Sequence, residues 1–528
     1  MIRASSASAC STPLSFRSAD ARLLTAAGCL AALVPRLAHR GMFLDGVTYA
    51  SIARNLAQGR GRFWAPHYTD TIYPAFHEHP PLAFWLQSLW FRAFGDHWFV
   101  ERAYSATAAA LIALFIVVTW RAVHAVPGAR NQDWLPVALW MAVPVVSWAI
   151  VGNLLETTVA VFVTAAVAVL TLGLRPTEDW RTRRFSPALR PFDSAQVVPS
   201  SQDFSSCPPR HPGSDCLPAR PGSLLVMVAC GCLSGLCVVG ATLAKGPVGL
   251  FPLAAPLILA LLPERRWRWT WCGAAAQWTA VLLCGALLYV GGESRESLSR
   301  YLHEQVVPAL AGRREVSAGP LTMVGALVEG VWLPMALVSG MLVVMARRWT
   351  TPPSRGRSVA AAFTLLGLCG TLPILVSPKQ TGHYLMPAVP FYAIGAAAFV
   401  APTAADLLNR LRAGRSAVAL RVLAATVAVA AGVAAALPAF EREPARLAEL
   451  DRLAAVAPRG ATVGICPSTN GDWGLHAWFQ RRFQMSLDAA DPVSHEWFLQ
   501  AGEPACTPAT CRAASDPSAR LVLLRCDR

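Results

Sequence analysis

The sequence predicts an α-helical, polytopic membrane protein with about eleven spans and a small C-terminal α/β domain outside the cytoplasm. Apolar runs long enough to cross roughly 30 Å of hydrocarbon recur along the chain, as in residues 104–120 (YSATAAALIALFIVVTW). Hydrophobic residues make up 54% of the 528 and charged residues 15%, against about 25% charged in an average soluble domain. The runs lack the polar residues at helical spacing that buried helices of a soluble protein would carry.

Charge gives the orientation. The net charge is +15, which in a soluble chain would suggest a nucleic-acid partner. Here the arginines stand in short blocks between apolar runs: Arg265, Arg266 and Arg268; Arg347, Arg348, Arg355 and Arg357; Arg410, Arg412 and Arg415. Basic loops stay cytoplasmic during insertion, so the blocks predict a multi-pass inner-membrane protein and no nucleic acid.

In order along the chain, residues 1–20 are Ser-rich and expected to be disordered, and a membrane domain follows over 21–440. Spans are expected near 22–38, 104–123, 134–151, 155–174, 223–244, 247–262, 270–291, 321–346, 358–377, 384–406 and 416–440. Residues 23–37 follow Arg3, Arg17 and Arg22 as a signal sequence would, but they read as an uncleaved first span. With the N-terminus inside, alternation puts 39–103, 152–154, 292–319, 378–383 and everything after 440 on the outer side. The segment 81–95 (PLAFWLQSLWFRAFG) is short, Trp-rich and interrupted by Arg92, so it is expected to lie at the outer interface, where Trp is favoured. Residues 175–222, rich in Pro, Ser and Arg, read as a disordered cytoplasmic insertion. Cys207 and Cys216 within it lack further ligands at metal-binding spacing.

Residues 441–528 read as a small soluble domain on the outer face. Residues 445–456 (ARLAELDRLAAV) carry helical amphipathicity, and 461–466 and 520–526 read as strands. Of the 14 cysteines, seven fall in spans as small apolar residues. Cys466, Cys506, Cys511 and Cys526 lie in this domain, where an oxidising compartment would allow one or two disulfides of open connectivity.

The alternation collects ionisable residues on the outer side. Asp45 stands in FLDGVTYASIARNLAQG, Glu78 and His79 in FHEHPPLAFW, and Glu156 in GNLLETTVAVF. Lys245 stands in ATLAKGPVGLF, His303 and Glu304 in YLHEQVV, and Lys379, His383 and Tyr384 in SPKQTGHYLMP. Each alone is as easily structural as functional, but ionisable residues at membrane depth are costly, and their gathering on one face points to chemistry at the interface. Transfer from a polyprenyl-phosphate sugar would use such a set. Cations such as Lys245 and Lys379 would bracket the phosphate, and Asp45 or Glu156 would meet the acceptor. Lys245 precedes Gly246-Pro247, where a helix N-terminus would add amide donors for an anion. A monophosphate needs less neutralisation than a diphosphate, so no metal is required.

The Asp45 loop, Glu78-His79-Pro80-Pro81, the Gly95 to Arg102 stretch, Glu156, Lys245-Gly246-Pro247 and the segment from Lys379 through His383-Tyr384-Leu385-Met386-Pro387 together resemble the multi-spanning (GT-C) glycosyltransferases. The resemblance covers roughly residues 40–400. The nearest groups are bacterial relatives of protein O-mannosyltransferases and the aminoarabinose transferases that modify lipid A. It implies that Asp45 is the first-loop catalytic acid and Glu156 the second-loop acid. Donor phosphate would be held by Lys245, Lys379, His383 and Tyr384, and substrate by Glu78, His79, Arg102 and His303. Here His79 replaces the family's lysine, Glu156 its more usual aspartate, and Gly46 the glutamate that follows the catalytic acid in the mannosyltransferases. Some relatives hold a metal near these outer loops, for which Glu78 and His303 are the candidates.

The expected reaction is an inverting transfer of a sugar from a polyprenyl phosphate to lipid A, another envelope glycan or a protein, outside the cytoplasm. Two other classes are weighed against it. A transporter or lipid flippase would place its polar groups near the bilayer midplane, often on repeated broken helices. An O-antigen ligase or polymerase would lack the early Asp loop and the Pro-Pro interfacial helix.

Overall fold

The computed structural model describes residues 15–124, 127–174, 224–262, 267–313, 320–347, 354–378, 381–410, 414–502 and 506–527. Most of the expected disordered N-terminus, the 175–222 insertion with Cys207 and Cys216, and Lys379 therefore lie outside the described residues. Within them, apolar runs become helices because only a helix satisfies every backbone amide from within one lipid-facing segment. The first helix, α1 (Ser15–Leu37), begins before the expected start of the first span. Its buried Asp20 is held by Arg421 at 2.7 Å.

The next helices are α2 (Leu44–Ala57), α3 (Leu82–Phe94) and α4 (Val100–Val123). The expected single span over 134–151 is instead a bent pair, α5 (Trp134–Met141) and α6 (Pro144–Val151), with a 76° bend. Pro144 lacks an amide and forces Val143 into extended backbone. There follow α7 (Leu155–Gly173) and α8 (Leu224–Lys245). The segment expected as a span over 247–262 is also irregular. It forms a 3-10 helix over Pro247–Ala254 and a short α9 (Ala255–Leu259), because Pro247, Pro252 and Pro256 break the α-helical ladder. The steeper 3-10 rise lets these residues cover about 24 Å.

Beyond them run α10 (Trp267–Val290), α11 (Gly292–Tyr301), α12 (Pro320–Arg347), α13 (Ser354–Val376), α14 (Val389–Arg410) and α15 (Gly414–Ala435). Seven described helices are long and apolar enough to cross a membrane, eight with the bent pair taken as one. The expected eleven also counted α1, the proline-rich segment and α12. Three arginines gather at one end of the bundle. Arg22 and Arg121 both bind Asp133, and Arg355 donates to the Val123 carbonyl.

The other end carries the C-terminal domain, with α16 (Pro444–Leu453), α17 (Trp473–Phe483) and five strands. These are Thr462–Ile465, Ser486–Asp488, Trp497–Ala501, Cys511–Ala513 and Leu521–Cys526. The first strand pairs parallel with the second and third, and the remaining pairs are antiparallel. Disulfides join Cys466 to Cys506 and Cys511 to Cys526.

This domain shares a core with the first loop. Val47, Ala50 and Ala53 of α2 are buried with Phe479, Phe483 and Leu487. The buried Arg54 donates to the Gln480 and Arg481 carbonyls, while Arg481 binds Asp96 and Glu101. Asp45's helix is thus clamped between the helical bundle and the C-terminal domain.

Candidate active site

The site begins where α2 meets the turn into α7. Gly46 lies so close to Gly152 that a Cβ on it would overlap the Gly152 carbonyl oxygen. Asn153, in left-handed backbone at φ 54°, ties the junction together. Its amide donates to the Gly46 carbonyl at 3.0 Å, and its side-chain oxygen accepts from Gln87 of α3 and Ser105 of α4. Glycine at 46 therefore allows the approach that brings Asp45, in the first turn of α2, to the start of Glu156's helix.

Glu156 is 1% exposed. Its Oε1 is ion-paired with the Lys245 ammonium and lies 3.5 Å from His383 Nε2. Its Oε2 is buried with no hydrogen-bond partner among the described residues. Lys245, one of only two lysines in the chain, ends α8 and stands 4.6 Å over the Tyr384 ring. After it the chain turns at Gly246, φ 95°, where a Cβ would overlap the Tyr301 hydroxyl. That hydroxyl donates to the Lys245 carbonyl at 3.1 Å. The α-helical N-terminus expected at Pro247 is replaced by the 3-10 helix, so the ammonium itself is the cationic element here.

Tyr49, which the sequence reading missed, joins the two halves of the site. It lies one turn after Asp45 on α2, is 5% exposed, and its hydroxyl is 3.2 Å from His79 Nε2. Burial, reinforced by the nearby carboxylates of Asp45, Glu156 and Glu78, holds its phenol well above its ordinary pKa. It is therefore a protonated donor at neutral pH. The i, i+4 spacing from Asp45 was its legible signal.

The remaining candidates divide. Glu78 accepts from the Tyr73 hydroxyl at 3.0 Å and from Gln305 at 3.3 Å. His303 is exposed and donates through Nδ1 to the Ser299 carbonyl at 2.8 Å, so Gln305, not His303, closes on Glu78. No group of three or more His, Cys, Asp or Glu among the described residues is arranged to hold a metal ion. Arg102 is 3% exposed. It donates to the carbonyls of Arg40, Gly41 and Val151, which makes it a staple of the loop behind Asp45. His383 and Tyr384 both face Glu156 and Lys245.

Fold and site define a polytopic membrane protein whose buried polar cluster sits at the end of the bundle that also carries the C-terminal domain. No protein-family model and no curated protein matches the chain. Among solved structures it is similar to ArnT from Cupriavidus metallidurans bound to undecaprenyl phosphate, at 17% identity and TM-score 0.59 over 95% of this chain and 97% of that one. It is also similar to the apo oligosaccharyltransferase of Archaeoglobus fulgidus, at 13% identity and TM-score 0.51 over 88% of this chain and 64% of that one. At these identities the likeness is one of fold. The chain has the GT-C fold of the multi-spanning membrane glycosyltransferases.

Proposed function

We propose that the protein is an inverting glycosyltransferase that takes a sugar from a polyprenyl phosphate and passes it to an envelope acceptor outside the cytoplasm. The observation that carries this reading is the Glu156–Lys245–His383 cluster beside the Asp45 helix start. An acid and a cation held together at a bundle end would suit the phosphate of a bilayer-embedded donor. A transporter would instead concentrate such groups near the midplane.

In the proposed reaction the acceptor oxygen attacks the anomeric carbon, the bond from that carbon to the phosphate oxygen breaks, and polyprenyl phosphate leaves. Asp45 takes the acceptor proton where the acceptor is a hydroxyl. Glu156 orients substrate through its uncommitted oxygen, and Lys245, His383, Tyr384 and Lys379 hold the phosphate. His79 and Tyr49 add a hydrogen-bonded pair on the α2 side. The fold likeness to an ArnT that binds undecaprenyl phosphate supports the donor class.

Two features support the orientation. The outer domain carries two disulfides, which persist in oxidising compartments. Arg22, Arg121 and Arg355 gather at the opposite end. The test is mass spectrometry of envelope glycolipids and glycoproteins from a deletion strain with and without the restored gene. One class of molecule should gain a single sugar on restoration; identical profiles would reject the reading.

A further inference from the structure

The bend at Pro144 opens a space that the Glu156 cluster does not use. Between α1 and the bent pair lies an apolar cavity of about 800 Å³. Its walls include Gly28 and Ala32 of α1 and Ala138 and Ala142 of the bent segment, small side chains that leave the groove open. A Cβ built on Gly28 meets nothing within 4 Å. At its upper end, Arg36 and Trp148 also line a second cavity of about 280 Å³, closed by Phe43, Phe440 and Arg442. Among the described residues no carboxylate lines either space. Arg36 forms no ion pair among the described residues. Arg442 sits 5.2 Å over the Phe43 ring with only a 3.7 Å contact to Glu443.

We propose that these two cavities form one binding site for an anionic lipid, the acceptor substrate, with its hydrocarbon chain between α1 and the bent pair and its phosphate clamped by Arg36 and Arg442. The inference rests on the glycosyltransferase reading for the word acceptor, but the lipid site itself does not. A long apolar channel ending in two guanidinium groups is complementary to a lipid phosphate and to no neutral lipid. The mouth also leads to the site. Trp148 lies 5.4 Å from the His383 ring, and His383 lies 3.5 Å from Glu156. Gly152, which Gly46 touches, forms part of its wall. This approach differs from the one at Lys245, whose carbonyl is capped by Tyr301. Two approaches to one carboxylate suit a reaction between two membrane-borne substrates.

The test uses the full chain in nanodiscs with phosphatidic acid carrying a photoreactive group on its acyl chain, and phosphatidylcholine carrying the same group as control. Crosslinks mapped by mass spectrometry should fall on α1, α5 and α6 with phosphatidic acid. They should drop about tenfold in the Arg36→Ala, Arg442→Ala double variant and return in the Arg36→Lys, Arg442→Lys variant. Gly28→Leu, which fills the groove without a clash, should also reduce them. Equal labelling by phosphatidylcholine would mean annular lipid and overturn the proposal. So would labelling indifferent to both arginines, or labelling that undecaprenyl phosphate displaces only while Lys245 is intact, which would give the groove to the donor. Specific labelling in a protein that transfers no sugar would leave the lipid site standing and reject the catalytic reading alone.

Discussion

Glu156 and Lys245 meet as a buried ion pair at the ends of two spans, with His383 as the carboxylate's second neighbour. A lysine proposed to receive a phosphate thus already has an anion, and Glu156 keeps one oxygen uncommitted. Removing one partner of such a pair leaves an uncompensated buried charge, at a cost of about 3–5 kcal/mol. Lys245→Ala should therefore lower the thermal midpoint of the detergent-solubilised protein as well as weaken donor binding. The Lys245→Ala, Glu156→Gln double variant should recover the midpoint but not the binding. Lys245→Arg should keep more of both. An unchanged midpoint in Lys245→Ala would mean the pair does not form.

Gly46→Ala should displace the start of α2, because the added methyl overlaps the Gly152 carbonyl. Transfer should fall about tenfold or more while the protein still inserts. Gly28→Ala, in open space on α1, should leave insertion and stability unaltered. A fully active Gly46→Ala would show that the α2–Gly152 contact does not position Asp45.

Tyr49→Phe removes one hydroxyl and its hydrogen bond to His79. The loss of one such bond amounts to about 1 kcal/mol, or roughly fivefold. It should appear in the apparent donor affinity, with the melting temperature little changed because the ring still packs on Phe84. Unaltered donor kinetics would remove Tyr49 from the site.

Orientation is tested by single-cysteine reporters in a background lacking the native thiols of the spans. Leu310, Thr381 and Asn470 should react with an impermeant reagent from outside, and Arg190, Pro352 and Arg412 should not. Outside labelling at Pro352 would break the alternation.

The sequence carried the bundle because apolar length is a local property, and it carried the polar set because ionisable residues stand out against it. The breaks were harder to read. The apolar run continues across Pro144, and 247–262 is apolar throughout, so hydropathy alone could not show the 76° bend or the 3-10 turn-by-turn stretch. The prolines were the available signal. Nor does α2 announce its place, since it is covered by the bundle on one side and the C-terminal domain on the other and so lacks an amphipathic pattern. Its clamp joins Arg54 to Gln480, 426 residues away. The partners of Glu156 are also remote in sequence, Lys245 by 89 residues, and His303 was a nearer guess than Gln305 only because histidine is the more familiar ligand.

The central claim is that Asp45 serves the acceptor in glycosyl transfer at this site, and Asp45→Asn tests it most directly because shape persists and charge does not. The measurement is the rate of sugar transfer to the acceptor identified by mass spectrometry, alongside binding of undecaprenyl phosphate. For a hydroxyl acceptor the variant should insert normally, bind undecaprenyl phosphate as before and lose about 10²-fold or more in rate, the usual contribution of a positioned general base. A smaller loss is expected for a phosphate acceptor, which is already anionic. Full transfer activity in Asp45→Asn would contradict the assignment of this loop as the catalytic centre.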